Sequence, residues 1–165
     1  MSYKDFLKSK ITTYQDSGFD IDESKLNKNL FPFQKICVKT ALKKGKYALF
    51  LDTGLGKTIC QLEWGNQVSI HTNKPVLFLA PLAVSGQTIQ EGKKFGIHVE
   101  KLKSDVSGQG LYITNYEQLP NIDCSRFSGI VLDESSILKN YTGTYKRLII
   151  KEFQHTQYKL ACTAT

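Results

Sequence analysis

Arginine is nearly absent from this 165-residue chain: of its 22 basic residues all but Arg126 and Arg147 are lysine. The chain therefore holds few candidates for an arginine that reaches onto a transferring phosphoryl group. Cysteine is sparse as well, and Cys37, Cys60, Cys124 and Cys162 are scattered without a C-x-x-C pair. That argues against a zinc site or a disulfide framework and for buried free thiols. His71, His98 and His155 are equally scattered and suggest no chemistry. No apolar run approaches the length of a membrane span, and none at a terminus resembles a signal peptide, so no membrane partner and a cytoplasmic location are expected.

What is present fits one α/β domain. A hydrophobic fraction of 41% over 165 residues is enough for a single core and short for two. The net charge of +7 favours polyanions through non-specific phosphate attraction, although a lysine-rich solvated face accounts for it equally.

The most informative stretch is Ala48-Leu-Phe-Leu-Asp-Thr-Gly-Leu-Gly-Lys-Thr58, an apolar run ending in Gly54, Gly56, Lys57 and Thr58. Glycines let successive backbone N–H groups turn toward one anion, a lysine reaches the outer phosphates, and a Thr hydroxyl can ligate Mg²⁺. Thr53, Gly54, Leu55, Gly56, Lys57 and Thr58 are thus the candidate phosphate cradle. The pattern G-x-x-x-x-G-K-[ST] asks for glycine at position 51, where this chain has Leu51. The context restores the reading: Tyr47 to Leu51 is strand-like, and Thr58 to Val68 places Ile59, Leu62, Trp64 and Val68 at helical spacing. The helix N-terminus would add partial positive charge to the anion site. A Gly-rich turn that binds nothing is the alternative.

Met1 to Leu30 reads as a short helical extension followed by an Asp/Ser/Asn-rich linker, with the domain proper from about residue 30 to 165. From Phe31 onward, strand-like runs at Tyr47–Leu51, Val76–Ala80, Val99–Leu102, Leu111–Thr114, Gly129–Leu132 and Lys159–Cys162 alternate with helix-like stretches. That alternation predicts a mostly parallel sheet with helices on both faces, and a ligand site at the carboxyl ends of its strands. The fifth run leads directly into Asp133-Glu134-Ser135-Ser136. A carboxylate at the end of a buried strand, expected beside the phosphate-loop strand, can hold Mg²⁺ through water, and an adjacent glutamate can polarise an attacking water. Asp133 is the metal-side candidate and Glu134 the general base; an acidic helix cap is the bland alternative.

These elements, taken in order, resemble the first RecA-like domain of a superfamily-two helicase or translocase, closest in flavour to Swi/Snf-type ATPases and the DEAD/DEAH-like helicases of bacteriophages. Phe31-Pro-Phe-Gln34 resembles the Q-motif, in which Gln34 would read the adenine edge and Phe31 would pack on the base. Asp52 to Thr58 resembles motif I, and Leu79-Ala-Pro-Leu-Ala83 with Gln87 and Glu91 resembles motif Ia and its helix. Ile113 to Leu119 resembles motif Ib, Asp133 to Ser136 motif II, and Thr163-Ala-Thr165 motif III.

The resemblance implies a three-layer RecA-like fold, ATP and Mg²⁺ as cofactors, and Lys57, Asp133 and Glu134 as the catalytic group. It further implies nucleic-acid contacts, DNA ahead of RNA, from Pro81, Leu82, Ala83, Thr114 and Asn115, and coupling through Thr163 and Thr165. Members of that superfamily continue into a second RecA-like domain. Residues 1–165 would then be the ATP-binding half, in a bacterial host cytoplasm if phage-encoded, binding nucleotide weakly and turning over little alone. A stand-alone nucleic-acid or partner-binding module and a metabolic P-loop kinase are the alternatives.

Overall fold

Each of the six apolar runs forms a strand whose ends fall within one residue of those expected. The computed structural model describes residues 2–10, 15–52, 54–139 and 143–164. The strands are β1 (Lys46–Phe50), β2 (Pro75–Ala80), β3 (Val99–Lys101), β4 (Gly110–Asn115), β5 (Gly129–Leu132) and β6 (Tyr158–Thr163). The helices are α1 (Tyr3–Lys10), α2 (Pro32–Lys44), α3 (Lys57–Thr72), α4 (Ser85–Lys94) and α5 (Gly143–Glu152). All strand pairings are parallel, in the order β1-β6-β5-β2-β4-β3.

Strand periodicity divides the core between two layers. Along β2, Val76, Phe78 and Ala80 pack with residues of α2, α3 and α4, whereas Leu77 and Leu79 pack with Tyr116, Leu119, Phe127, and Ile149 and Phe153 of the α5 side. Being buried on both faces makes β2 a continuous apolar run rather than an alternating one. Each such large side chain contributes about 1.5–3 kcal/mol by leaving water. Trp64 and Leu62 of α3 are fully buried beneath the sheet. Leu26 and Leu30, in the segment expected to be a linker, are buried in the same core, while α1 buries no residue.

One expectation is corrected. Asp133 follows β5, which does not lie beside the phosphate-loop strand β1, because β6 is inserted between them. The crossover from β5 through α5 returns on the β1 side, so β6 pairs with both strands. Both strands still deliver their carboxyl ends to one edge of the sheet. No helix among the described residues is long and apolar enough to cross a membrane.

Candidate nucleotide site

The phosphate-loop candidate is built by a strand that ends one residue later than the consensus spacing suggests. Leu51 N donates to Thr163 O at 3.3 Å and its side chain is buried in the core. Position 51 is therefore still strand-like and has no need of glycine. The turn opens at Asp52, whose carbonyl accepts from Leu55 N at 3.1 Å. Gly54 and Gly56 have φ of +90° and +79°, the left-handed region where a Cβ is strained. A Cβ at Gly54 would meet nothing within 4 Å, whereas one at Gly56 would lie 2.2 Å from Gln34 Nε2. Gly56 is thus required twice, by its backbone and by the side chain against it.

Gln34 is the reason for that close approach. It occupies the first turn of α2, after Pro32, and is buried. Its Oε1 accepts from Phe31 N at 2.8 Å, capping the helix, and its Nε2 donates to Leu55 O at 2.9 Å. One amide therefore ties the start of α2 to the glycine turn. Phe31 and Phe33 flank it with ring planes 13° apart, and both are exposed.

At the other end of the turn, Lys57 opens α3 and its Nζ hydrogen-bonds Glu134 Oε1, with Asp133 Oδ1 at 3.4 Å. Burial works against the Lys57 ammonium. The hydrogen bond to Glu134 and the charges of Asp133 and Glu134 outweigh it and hold the pKa above the ordinary lysine value. Glu134 adopts φ +52°, rare for a residue with a Cβ and an observation that directs attention to function. Asp133 is buried: Gln61 Nε2 donates to its Oδ1 at 2.9 Å and Tyr116 Oη donates to its backbone carbonyl at 2.7 Å. Gln61 is itself fully buried, and among the described residues its Oε1 has no hydrogen-bond partner, which costs about 1–3 kcal/mol.

A single cavity of about 890 Å³ collects Phe31, Gln34, Gly54, Leu55, Gly56, Lys57, Thr58, Asp133 and Glu134. Among the lining residues that escaped the sequence reading as site candidates are Asn29, Phe33, Asp52 and Lys94. Phe33 was within reach of it, as the second aromatic of Phe31-Pro-Phe. Gln87 and Glu91, noted only as part of the helix after β2, line the same cavity. The hard oxygen donors near Lys57 include the Thr58 hydroxyl and the Asp133 and Glu134 carboxylates, and the described residues hold no cluster of three or more His, Cys, Asp or Glu. Such a sparse donor set fits Mg²⁺, which keeps waters and shares substrate phosphates rather than filling an all-protein cage.

The remaining candidates among the described residues do not line this cavity. Pro81, Leu82 and Ala83 follow β2, with Leu82 71% exposed, and Thr114 and Asn115 end the neighbouring β4. The Asn115 side chain accepts from Gln118 N at 3.2 Å, capping the following turn. Thr163 ends β6 and its hydroxyl donates to Ala164 O at 3.1 Å, while Ala164 lines the cavity. Thr53 and Thr165 lie outside the described residues. All four cysteines are free, and burial pushes Cys60 and Cys124 up to about 12.

No family model matches the chain. It is 25% identical over 184 aligned positions to the mouse DNA annealing helicase and endonuclease ZRANB3, covering 95% of this chain and 16% of that protein. The bovine protein of the same name is 26% identical over 165 positions, covering 88% of this chain and 15% of the relative. The chain thus spans about a sixth of the length of these curated relatives. Among solved structures, the UvsW helicase from bacteriophage T4 superposes with a TM-score of 0.68 at 17% identity, covering 99% of this chain and 60% of that one. The Sulfolobus solfataricus SWI2/SNF2 ATPase core in complex with dsDNA superposes with a TM-score of 0.69 at 21% identity, covering 88% and 34%. The fold is that of a RecA-like helicase domain, and the chain is similar in sequence to the ZRANB3 helicases.

Proposed function

We propose that this chain is the ATP-binding half of a DNA-dependent helicase or translocase, with residues 30–165 as the nucleotide domain and residues 1–29 as its extension. The observation that carries the reading is the convergence of Lys57, Asp133 and Glu134 beside a glycine turn in one cavity. The DNA is argued from the likeness to proteins described as DNA helicases and to a core solved with dsDNA.

In this reading the turn amides and Lys57 hold the phosphates, and Thr58 and Asp133 hold Mg²⁺. The metal would supply charge neutralisation on the phosphate oxygens. In this reading Lys57 moves from Glu134 to a phosphate, and that departure frees the Glu134 carboxylate to accept a proton from water. Phe31 and Phe33 offer the base a stacking surface, and Gln34 can trade its bond to Leu55 O for the adenine edge. Pro81, Leu82, Ala83, Thr114 and Asn115 are assigned to the nucleic-acid backbone, and Thr163 and Thr165 to coupling. Because the chain covers 34% of the Sulfolobus core, closure over ATP is assigned to a second RecA-like domain in a longer protein or a partner chain. The setting that goes with this reading is a cell's cytoplasm, that of a bacterial host for a phage protein.

Equilibrium binding of ATP, GTP and ADP with Mg²⁺, together with phosphate release with and without duplex DNA, tests the proposal. ATP-selective binding with little turnover supports it. DNA binding with no nucleotide binding would instead favour a non-catalytic module, and phosphoryl transfer to a small acceptor would favour a kinase.

A further inference from the structure

Gln61 has no place in the machinery described so far, yet it is a fully buried polar side chain. It lies one helical turn after Lys57 on α3, is fully buried, and reaches past β6, where it lies against the Cys162 thiol, to Asp133 Oδ1. The strand inserted between β1 and β5 separates the phosphate loop from Asp133. From α3, Gln61 spans that gap beside Cys162 of β6, as Lys57 does from the start of the helix.

From this the geometry points to Gln61 as a positioning residue that fixes the Asp133 carboxylate for the metal of a bound metal–nucleotide complex. The inference rests on the nucleotide reading above. Among the described residues, Asp133 Oδ1 has two side-chain neighbours able to donate, Gln61 Nε2 at 2.9 Å and Lys57 Nζ at 3.4 Å. If phosphates claim Lys57, Gln61 is the side-chain donor that remains to hold Oδ1, so that the carboxylate keeps one orientation and offers its other oxygen. Partners of this kind orient metal-binding carboxylates and are felt in metal affinity when removed. Among the described residues its Oε1 has no partner, so the amide is held by what its Nε2 meets, the Asp133 carboxylate beside the Cys162 thiol.

The test compares ATP with Mg²⁺ against ATP in excess EDTA, by equilibrium titration of the wild type, Gln61→Met and Gln61→Asn, each also in an Asp133→Asn background. Thermal unfolding without ligand reports whether each variant is folded. Metal-free ATP affinity is expected to stay within about 2-fold of wild type, while the strengthening conferred by Mg²⁺ falls roughly 10-fold in Gln61→Met. Gln61→Asn, whose amide is one methylene too short to reach, is expected to behave alike and carries the comparison if the Met variant does not fold. In the Asp133→Asn background neither substitution should change the Mg²⁺ dependence further. Full retention of the Mg²⁺ effect in a folded Gln61 variant would overturn the inference and leave the nucleotide reading intact. Absence of ATP binding by the wild type, with or without metal, would overturn both.

Discussion

Two groups of residues stand at the carboxyl ends of this sheet, and they differ in kind. At β1 and β5, Lys57, Asp133 and Glu134 are held in mutual contact, with Gln61, Tyr116 and the Gln34-braced turn around them. At β2 and β4, Pro81, Leu82, Ala83, Thr114 and Asn115 form no such constellation; Leu82 faces solvent and Asn115 caps a local turn. A site that concentrates charge must compensate it internally when empty, and so it is visible in the geometry. A surface that grips a polymer backbone with N–H groups and hydroxyls need not be.

The comparison can be broken most sharply at Lys57. Lys57→Ala is expected to weaken Mg²⁺·ATP binding roughly 10- to 100-fold, the worth of a charge-assisted phosphate contact, with duplex DNA binding within about 3-fold of wild type; paired titrations would measure both. Gly56→Ala comes next. The left-handed φ and the 2.2 Å approach to Gln34 Nε2 predict a loss of about 1–3 kcal/mol in thermal unfolding, with weaker nucleotide binding.

A smaller effect lies behind the site. Glu63 of α3 is buried, and burial raises its pKa, against the hydrogen bonds from Gln67 Nε2 at 2.7 Å and Asn27 N at 3.1 Å. A raised carboxyl pKa favours the protonated folded state, so its contribution is full below the unfolded value near 4.5 and is lost as pH rises through the folded value. Glu63→Gln can keep both acceptor bonds without the charge. It should flatten the stability profile above pH 4.5 and raise stability at neutral pH, as thermal unfolding across pH would measure. The smallest expected effect is at Thr114: Thr114→Ala should lower duplex DNA affinity no more than about 3-fold, as one backbone contact among several, and leave ATP affinity unchanged. A change in ATP affinity would show that the two groups are not separate.

The grouping of the glycine turn, Lys57 and the Asp133-Glu134 pair was legible because the chemistry proposed for them demands particular residue types at fixed spacing. The glycine turn, Lys57 and the Asp133-Glu134 pair are local patterns, and the six strands follow from apolar runs and their breaks. Strand order was not legible: nothing in the composition of β6 says that it enters between β1 and β5 rather than at an edge. Gln61 was hidden for the same reason, since its partner is 72 residues away and only the insertion of β6 gives it a gap to cross. Leu51 departed from the expected glycine because the strand's hydrogen bonding continues through it, a boundary that propensity alone does not resolve. Phe33, Asn29 and Lys94 come to the cavity from separate elements, which no spacing rule connects.

The central claim is that nucleotide phosphates displace Lys57 from Glu134 at the glycine turn. A crystal structure of the chain with Mg²⁺ and a non-hydrolysable ATP analogue addresses it directly. The account predicts the phosphates against the Gly54–Thr58 amides, Lys57 Nζ on a phosphate oxygen and away from Glu134, and the metal between the phosphates and the Thr58 and Asp133 side chains. Phosphates bound elsewhere, or seated at the turn with the Lys57–Glu134 pair still closed, would contradict it.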